Sequence, residues 1–376
     1  MSGDGRRRRL PVLAVALAVR LVPVFACAFL TVDVLRYHKV AEHVLDVSWN
    51  PYQAPRLYPY PPLWVWFEAA AGWLERQGLP FPIVVKLPVV LADLGIVALL
   101  GAWSARAAWI YALHPVSVLV TGFHGQFDAL MLLFVLAAVR GHETGAFDRS
   151  ALALAGAIAT KSLPVLLLPF FWLALPRDRG VRLRFAALAI LPVALALVPY
   201  AVADFGALRR ELLGYAGVAD FGWIGVIRGL SFLSSGHLVK AYPQYWGALV
   251  PVAKLAFLAA FGALVVIQAR TGRFRSLGAA VLAVFLAFLV FYGSISAQYL
   301  LWPIPFGARR PGAPFIAYSA ATTFALVGFY LFLAPGVFFA DEVARPTAWL
   351  WVPGAAASLL AAAWWWTAVV RRPDVG

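Results

Sequence analysis

Long apolar runs constrain this chain more than any other feature of its sequence. The clearest are 10–30, 247–267, 314–335 and 349–370. A helix needs about 20 apolar residues to cross a bilayer. Hydrophobic residues make up 63% of the 376 positions and charged residues only 13%, about half the share of a typical soluble domain. The sequence therefore predicts an all-α, polytopic membrane protein with about 11–13 transmembrane segments.

The basic residues predict the orientation of these segments. A net charge of +14 would suggest a nucleic-acid partner in a soluble protein, but in a membrane protein Lys and Arg collect in the cytoplasmic loops. We therefore expect no nucleic acid and place the basic clusters inside, at 6–9, 106, 140, 149, 177–184, 270–275, 309–310 and 371–372. A single membrane domain, 1–376, then carries two non-cytoplasmic loops, a large one over 31–82 and a second over 203–245.

The segment around Lys161 is predicted to reverse direction. Residues 151–175 are long enough for one span, but one span would leave a basic flank outside. A break at Lys161 and Pro164 keeps both flanks inside. The tip of this hairpin, with Lys161, would then line a cavity at membrane depth.

Asp33 follows the first predicted span directly. Its carboxylate would lie at the outer interface, at the depth of a lipid phosphate in the same leaflet. A carboxylate there can deprotonate an acceptor hydroxyl as it attacks a sugar carbon. A solvated loop aspartate is the simpler reading, and Glu42 and Asp46 are rival carboxylates in the same loop.

A polar turn separates two short apolar segments at 122–128 and contains His124, Gln126 and Asp128. Polar groups at membrane depth are costly and suggest function. Helix capping by Asp128 and an ordinary turn histidine explain the same residues equally well. His114, which precedes Pro115 inside an apolar run, is interpreted as structural.

Four cationic or acidic side chains in apolar surroundings need partners or ligands. Lys86 and Asp93 are seven residues apart on one helix face, which predicts a buried charge pair. Lys161 has no acidic neighbour in sequence and suits a lipid phosphate. Arg228 is a second candidate for the phosphate, or an ordinary interfacial arginine.

Several classes of site are absent from the sequence. It contains no P-loop, no glycine-rich nucleotide motif and no metal-ligand spacing. Cys27 is the lone cysteine, so neither a disulfide framework nor a cysteine metal site can form. The sequence thus predicts no cofactor and no metal, and a lipid-linked sugar donor fits better than a nucleotide sugar.

Several short motifs occur in an order that matches a known superfamily. They are Asp33 with Tyr37, Asn50 to Tyr52, Tyr60 to Leu63, Lys86 with Asp93, His114 with Pro115, His124 to Asp128, Lys161 with Pro164, and Gln298 to Trp302. With these motifs the chain resembles the GT-C superfamily of polyprenyl-phosphate-sugar-dependent glycosyltransferases. It looks most similar to the first GPI mannosyltransferase (PIG-M type) and less so to dolichyl-phosphoglucose glucosyltransferases.

The resemblance implies a GT-C-like fold and a general base in the first outer loop, which corresponds to Asp33. Some relatives carry paired aspartates there, whereas Val34 follows Asp33 here, which argues mildly against a metal. Further candidate site residues are Arg36, Tyr37, His124, Gln126, Asp128, Gln298 and Tyr299.

Together these inferences predict an inverting hexosyltransferase, with mannose favoured over glucose. Asp33 would be the base, and Lys161 and Arg228 would hold the donor phosphate. The expected partners are a polyprenyl-phosphate-sugar donor, a lipid-linked or glycan acceptor and membrane lipids. The arginine-rich composition suggests a bacterial plasma membrane, or the endoplasmic reticulum in a eukaryote. A transporter or flippase of a lipid-linked glycan is the alternative, and a non-catalytic subunit of a mannosyltransferase complex a third reading.

Overall fold

The computed structural model describes residues 10–27, 31–214, 217–235, 243–332 and 341–371. The basic cluster 6–9 and Tyr215 lie outside these residues. Within the described residues every regular element is a helix, and an isolated bridge joins Phe221 to Ile295. The all-α prediction is confirmed. The chain divides into two compact units, Met1–Tyr215 and Ala216–Gly376.

The first unit holds ten α-helices in its described part, besides short 3₁₀- and π-helical segments. In chain order they are α1 (Leu10–Ala26), α2 (Val32–Glu42), α3 (Leu63–Glu75), α4 (Phe81–Trp103), α5 (Ala105–Ala112), α6 (Pro115–Val118), α7 (Asp128–Glu143), α8 (Phe147–Thr160), α9 (Leu168–Ala174) and α10 (Arg179–Gly214). Helix α10 is kinked at Asp204, whose side chain accepts a hydrogen bond from Ala207 N at 2.8 Å. The predicted outer loop at 203–245 therefore starts as a helix.

The second unit is built in the same way. Its described helices are α11 (Gly222–Ser235), α12 (Pro243–Thr271), α13 (Leu277–Phe291), α14 (Ile304–Arg309), α15 (Ala313–Phe332) and α16 (Asp341–Arg371). Helix α13 is buried along most of its length, as expected for a helix that is apolar on all sides.

Five described helical segments are long and apolar enough to cross a membrane. They are Phe81–Trp103, Arg179–Gly214, Gly247–Thr271, Ala313–Leu331 and Trp349–Arg371. Shorter apolar helices cover Leu10–Ala26, Pro115–His124, Leu163–Ala174 and Leu277–Phe291. The chain is therefore an integral, multi-pass membrane protein. Several predicted spans are short because the chain breaks at polar turns, such as those at Gly125 and Lys161.

The large loop predicted over 31–82 is largely helical rather than irregular. Helix α2 starts at Thr31, whose hydroxyl accepts a hydrogen bond from Val34 N, a common N-terminal cap. Helix α2 packs against α3 at Gly72, where a Cβ atom would lie 2.8 Å from Ala41 Cβ. The missing side chain at this glycine lets the two helices approach closely, which fixes the position of α2 and of Asp33 at its first turn.

The chain reverses at Lys161. Helix α8 ends at Thr160, and Lys161 adopts an extended backbone before helix α9. His142, in the last turn of α7, contacts Phe147 at the start of α8 with ring centroids 5.4 Å apart and Phe171 in α9 at 6.0 Å. Helix α9 therefore returns to the end where α8 began, as the basic flanks predict.

The predicted pair between Lys86 and Asp93 is wrong. Two helical turns separate the residues by about 10 Å along the axis, too far for a direct contact. Asp93 is fully buried and instead pairs with Arg20 of α1. The other donors to its carboxylate are the hydroxyls of Tyr111 and Thr121. Arg20 lies inside an apolar run and was not predicted to have a role.

Lys86 links the end of α1 to the polar turn. Its Nζ donates to the backbone oxygens of Cys27 at 3.2 Å and Phe123 at 2.8 Å. Gly125 in this turn has a positive φ of 79°, and a Cβ there would lie 2.8 Å from Lys86 Cγ. Glycine adopts the positive φ and leaves room for Lys86 at no steric cost. The aliphatic part of Lys86 can therefore pack directly against the turn.

Candidate active site

Asp33 and the polar turn form one hydrogen-bonded cluster. His124 Nε2 lies 2.8 Å from Asp33 Oδ2, and Gln126 Nε2 donates to the same oxygen. Tyr37 OH donates to Gln126 Oε1 at 2.9 Å, which fixes the orientation of the amide. The structure thus brings together four residues that the sequence analysis named as site candidates.

Thr31 holds the two halves of this cluster in register. Its hydroxyl caps α2, as described above, and donates to the backbone oxygen of His124 at 3.1 Å. One side chain therefore sets both the start of the helix that carries Asp33 and the position of the turn that carries His124. This is the local reason that residues 91 positions apart in the chain meet.

The environment of Asp33 favours the ionised carboxylate. Burial raises the pKa of Asp33, but the hydrogen bond from His124 and the charges of His124 and Arg36 outweigh it and hold the pKa below its usual value. Both hydrogen bonds fall on Oδ2, and Oδ1 has no hydrogen-bond partner among the described residues. With 25% of the side chain exposed, Asp33 offers an open, charged oxygen to a ligand.

Lys161 is paired with Asp128. Its Nζ lies 2.8 Å from each carboxylate oxygen of Asp128, and the two side chains are 5% and 0% exposed. The ammonium also lies 5.1 Å from the ring centre of Phe127 and 5.6 Å from that of Tyr60. Asp128 therefore balances the lysine charge, which explains why Lys161 can be buried.

An aromatic wall lies between the Asp33 cluster and the Lys161 pair. Trp64 stacks on Phe127 with centroids 4.8 Å apart, and Tyr37 meets both rings edge-on at 5.7 and 5.9 Å. Tyr60 contacts Phe127 edge-on at 4.9 Å. Because Tyr37 also bonds Gln126, the wall connects the two polar clusters and restricts the movement of their side chains.

Other candidates lie elsewhere in the chain. Arg228, Gln298 and Tyr299 belong to the second unit, where Arg228 pairs with Asp220 at 3.2 Å and the latter two are buried. Their place in the site stays a prediction. The rival carboxylate Asp46 pairs with Arg76 at 2.6 Å on the surface.

Two further side chains fall outside the cluster. Glu42 is exposed and lies 3.7 Å from His38. His114 accepts a hydrogen bond from Val116 N at 3.3 Å, in keeping with its structural interpretation. Within the described residues, no three His, Cys, Asp or Glu side chains cluster closely enough to hold a metal ion.

Glu68 is a buried carboxyl that the sequence analysis did not single out. It is fully buried in α3, and neither of its oxygens, nor the indole N–H of Trp64 one turn earlier, makes a hydrogen bond among the described residues. Burial raises the pKa of Glu68 well above its usual value. A glutamate on the inward face of an amphipathic helix is the signal that could have found it.

The buried Glu68 predicts a stability that falls with rising pH. The pKa of Glu68 is higher in the folded protein than in the unfolded chain. The free energy of unfolding therefore falls as the pH rises from the unfolded pKa towards the folded pKa, by up to about 1.4 kcal/mol per pH unit. We expect Glu68→Gln to remove this dependence. This pH dependence is measured by thermal unfolding of the wild type and Glu68→Gln in detergent between about pH 5 and pH 8.

The exposed Glu42, 60% exposed, supplies the control for this experiment. Glu42→Gln should follow the wild-type curve at every pH. The melting temperature of Glu68→Gln should exceed that of the wild type by a margin that grows with pH. Parallel curves for the wild type and Glu68→Gln would contradict the predicted ionisation.

Comparison with known proteins finds a likeness in fold to solved structures. No protein-family model and no curated protein matches the sequence. The fold is similar to the crystal structure of ArnT from Cupriavidus metallidurans bound to undecaprenyl phosphate, with a TM-score of 0.49, 18% identity, and coverage of 96% of this chain and 77% of that chain. At this score and identity the likeness assigns neither a family nor an activity to this chain.

Proposed function

We propose that this chain is a membrane-embedded glycosyltransferase that moves a hexose from a polyprenyl-phosphate donor to a hydroxyl of a lipid-linked or cell-surface glycan. The observation that carries the proposal is Asp33, an ionised carboxylate held through one oxygen with the other open. The ordered motifs that resemble GT-C glycosyltransferases support the same class, with mannose favoured over glucose.

The proposed reaction is a single displacement at the sugar carbon. The acceptor hydroxyl gives its proton to Asp33 Oδ1 as its oxygen bonds to C1 of the sugar. The bond between C1 and the phosphate oxygen breaks, and the phosphate leaves with the electron pair. Because the hydroxyl attacks the face opposite the phosphate, the configuration at C1 inverts.

His124 and Gln126 act as positioning residues in this scheme. Both contact Oδ2, which fixes the carboxylate plane and leaves Oδ1 free to accept the proton. A base must lie within about 3 Å of the proton donor to be effective. Loss of either contact would let the carboxylate rotate away from that geometry.

The donor phosphate needs a positive charge to stabilise it as it leaves. Lys161 and Arg228 are the predicted contacts, but each already has a carboxylate partner, Asp128 and Asp220 respectively. Neither cation therefore offers an unshared charge to a phosphate. The polyprenyl tail would contribute binding energy remote from the reacting carbon.

The proposal is tested by sugar transfer with purified protein in nanodiscs. Radiolabelled polyprenyl-phosphate-mannose, polyprenyl-phosphate-glucose and a nucleotide sugar are offered separately, with a lipid extract as acceptor. We expect labelled glycolipid from one of the polyprenyl donors and none from the nucleotide sugar. Transfer from the nucleotide sugar alone would contradict the proposal. Movement of intact lipid-linked glycan across vesicles without any transfer would establish the flippase alternative.

A further inference from the structure

Arg36 is a cation beside Asp33 that makes no hydrogen bond and no ion pair in the described residues. It lies three residues after Asp33 in α2, on the same helix face, where side chains are about 5–6 Å apart at Cβ. Its charge lowers the pKa of Asp33, so the guanidinium and the carboxylate share one environment. Arg36 is only half-buried, so part of the residue is exposed and accessible to a ligand.

The arrangement around Asp33 explains why Arg36 and Asp33 do not form an ion pair. His124 and Gln126 occupy Oδ2, and Arg36 is not within ion-pair distance of the remaining oxygen. An arginine fork presents several N–H donors in a geometry that matches phosphate. The structure thus places an unshared guanidinium one helical turn from Asp33, whose Oδ1 is open.

We propose that Arg36 binds the phosphate of the lipid-linked donor, in place of Lys161. This assignment rests on the proposed function and names the cation that acts in the same site. It follows from the difference between the two cations: Lys161 is 4% exposed and bonded to both oxygens of Asp128, whereas Arg36 is accessible and has no carboxylate partner.

The dimensions of the displacement agree with this role. The base lies about 2.7 Å from the acceptor oxygen, which stands about 3–3.5 Å from C1 before attack. The phosphate oxygens are on the far side of C1, about 7–8 Å from the base. An arginine one turn along the helix from Asp33 is long enough to reach a group at that separation.

The test compares a phosphate lipid with its alcohol. Binding of undecaprenyl phosphate, undecaprenol and inorganic phosphate is measured in nanodiscs for the wild type, Arg36→Ala, Arg36→Lys and the double variant Lys161→Met with Asp128→Leu, which removes both charges of the buried pair. We expect the wild type to prefer the phosphate lipid over the alcohol. In Arg36→Ala the affinity for undecaprenyl phosphate should fall by about tenfold to a hundredfold, while the affinity for undecaprenol stays unchanged. Arg36→Lys should be intermediate, because lysine keeps the charge but not the guanidinium fork.

Lys39, exposed on the same helix, supplies the matched control. Lys39→Ala should bind all three probes like the wild type, which separates a specific contact from the general positive charge of α2. Inorganic phosphate at millimolar concentration should compete only weakly, since it lacks the lipid; strong competition would mean that the site takes free phosphate.

Three results would overturn the assignment. If Arg36→Ala keeps the preference for undecaprenyl phosphate while the wild type transfers sugar, the phosphate contact lies elsewhere although the proposed function stands. If Arg36→Ala keeps the preference and the folded double variant Lys161→Met with Asp128→Leu loses it, Lys161 is the contact. A wild type that shows no preference and transfers no sugar rejects the proposed function together with the role of Arg36.

Discussion

Sugar transfer by Asp33→Asn should fall by about 10²–10⁴-fold, the usual contribution of a general base. The amide is nearly isosteric with the carboxylate, but it cannot accept a proton at neutral pH. His124 and Gln126 would still find an oxygen to bond, because both contact a single atom of Asp33. Folding and donor binding should therefore be retained, and turnover with a saturating donor is the quantity to measure.

A matched control for this variant is Asp46→Asn. Asp46 is a second acidic residue of the same loop, paired with Arg76 at the surface and 55% exposed. It should keep wild-type turnover, because removal of an exposed ion pair changes stability by less than about 1 kcal/mol. If Asp33→Asn turns over like the wild type, the base lies elsewhere, and Asp46 and Asp128 become the next carboxylates to test.

Breaking the buried pair between Lys161 and Asp128 should have the largest effect on stability. Lys161→Met leaves a carboxylate that is fully buried without its cation, which costs about 3–5 kcal/mol. We expect a clear drop in the unfolding midpoint in detergent, with loss of activity following from the loss of folded protein. Asp128→Leu should behave in the same way, because it leaves the ammonium unpaired.

The double variant separates a structural pair from a phosphate contact. Lys161→Met combined with Asp128→Leu removes both charges, so much of the lost stability should return. If the pair is structural, the double variant also binds undecaprenyl phosphate like the wild type. Losses that simply add would contradict the pairing, and a stable double variant that no longer binds the phosphate lipid would restore Lys161 as the donor contact.

The sequence predicted the parts of the site that depend on local order along the chain. Asp33 directly follows an apolar run, and His124 to Asp128 form a polar turn between two such runs, so composition alone indicates that they lie at an interface. The hairpin at Lys161 was predictable from the basic flanks, because their charges restrict which sides the flanks occupy. Each of these inferences uses neighbouring residues only.

The ion pairs could not be predicted because their partners are distant in sequence. Arg20 and Asp93 are 73 positions apart and Lys161 and Asp128 are 33 apart. Periodicity shows which face of a helix a residue occupies, but it does not show which neighbouring helix that face meets. The pairing of Lys86 with Asp93 failed for this reason, since a shared face two turns apart is not a contact.

Glu68 shows a second limit of the sequence. Glu68 lies four positions after Trp64 and so on the same helix face, but periodicity alone does not show that this face is fully buried. Only the packing of α3 against α2 and α4 shows that this position is fully buried. Residues that conflict with their surroundings in this way become visible when burial is known, and they are often functional.

The most direct test of the central claim is the configuration of the transferred sugar. Wild type and Asp33→Asn are incubated with a β-linked polyprenyl-phosphate-mannose labelled at C1, and the anomeric configuration of the product is read by NMR. We predict an α-linked product from the wild type and almost none from Asp33→Asn, because a single displacement assisted by one base inverts C1. A β-linked product, or equal transfer by the two proteins, would contradict the assignment of Asp33 as the base of an inverting transfer.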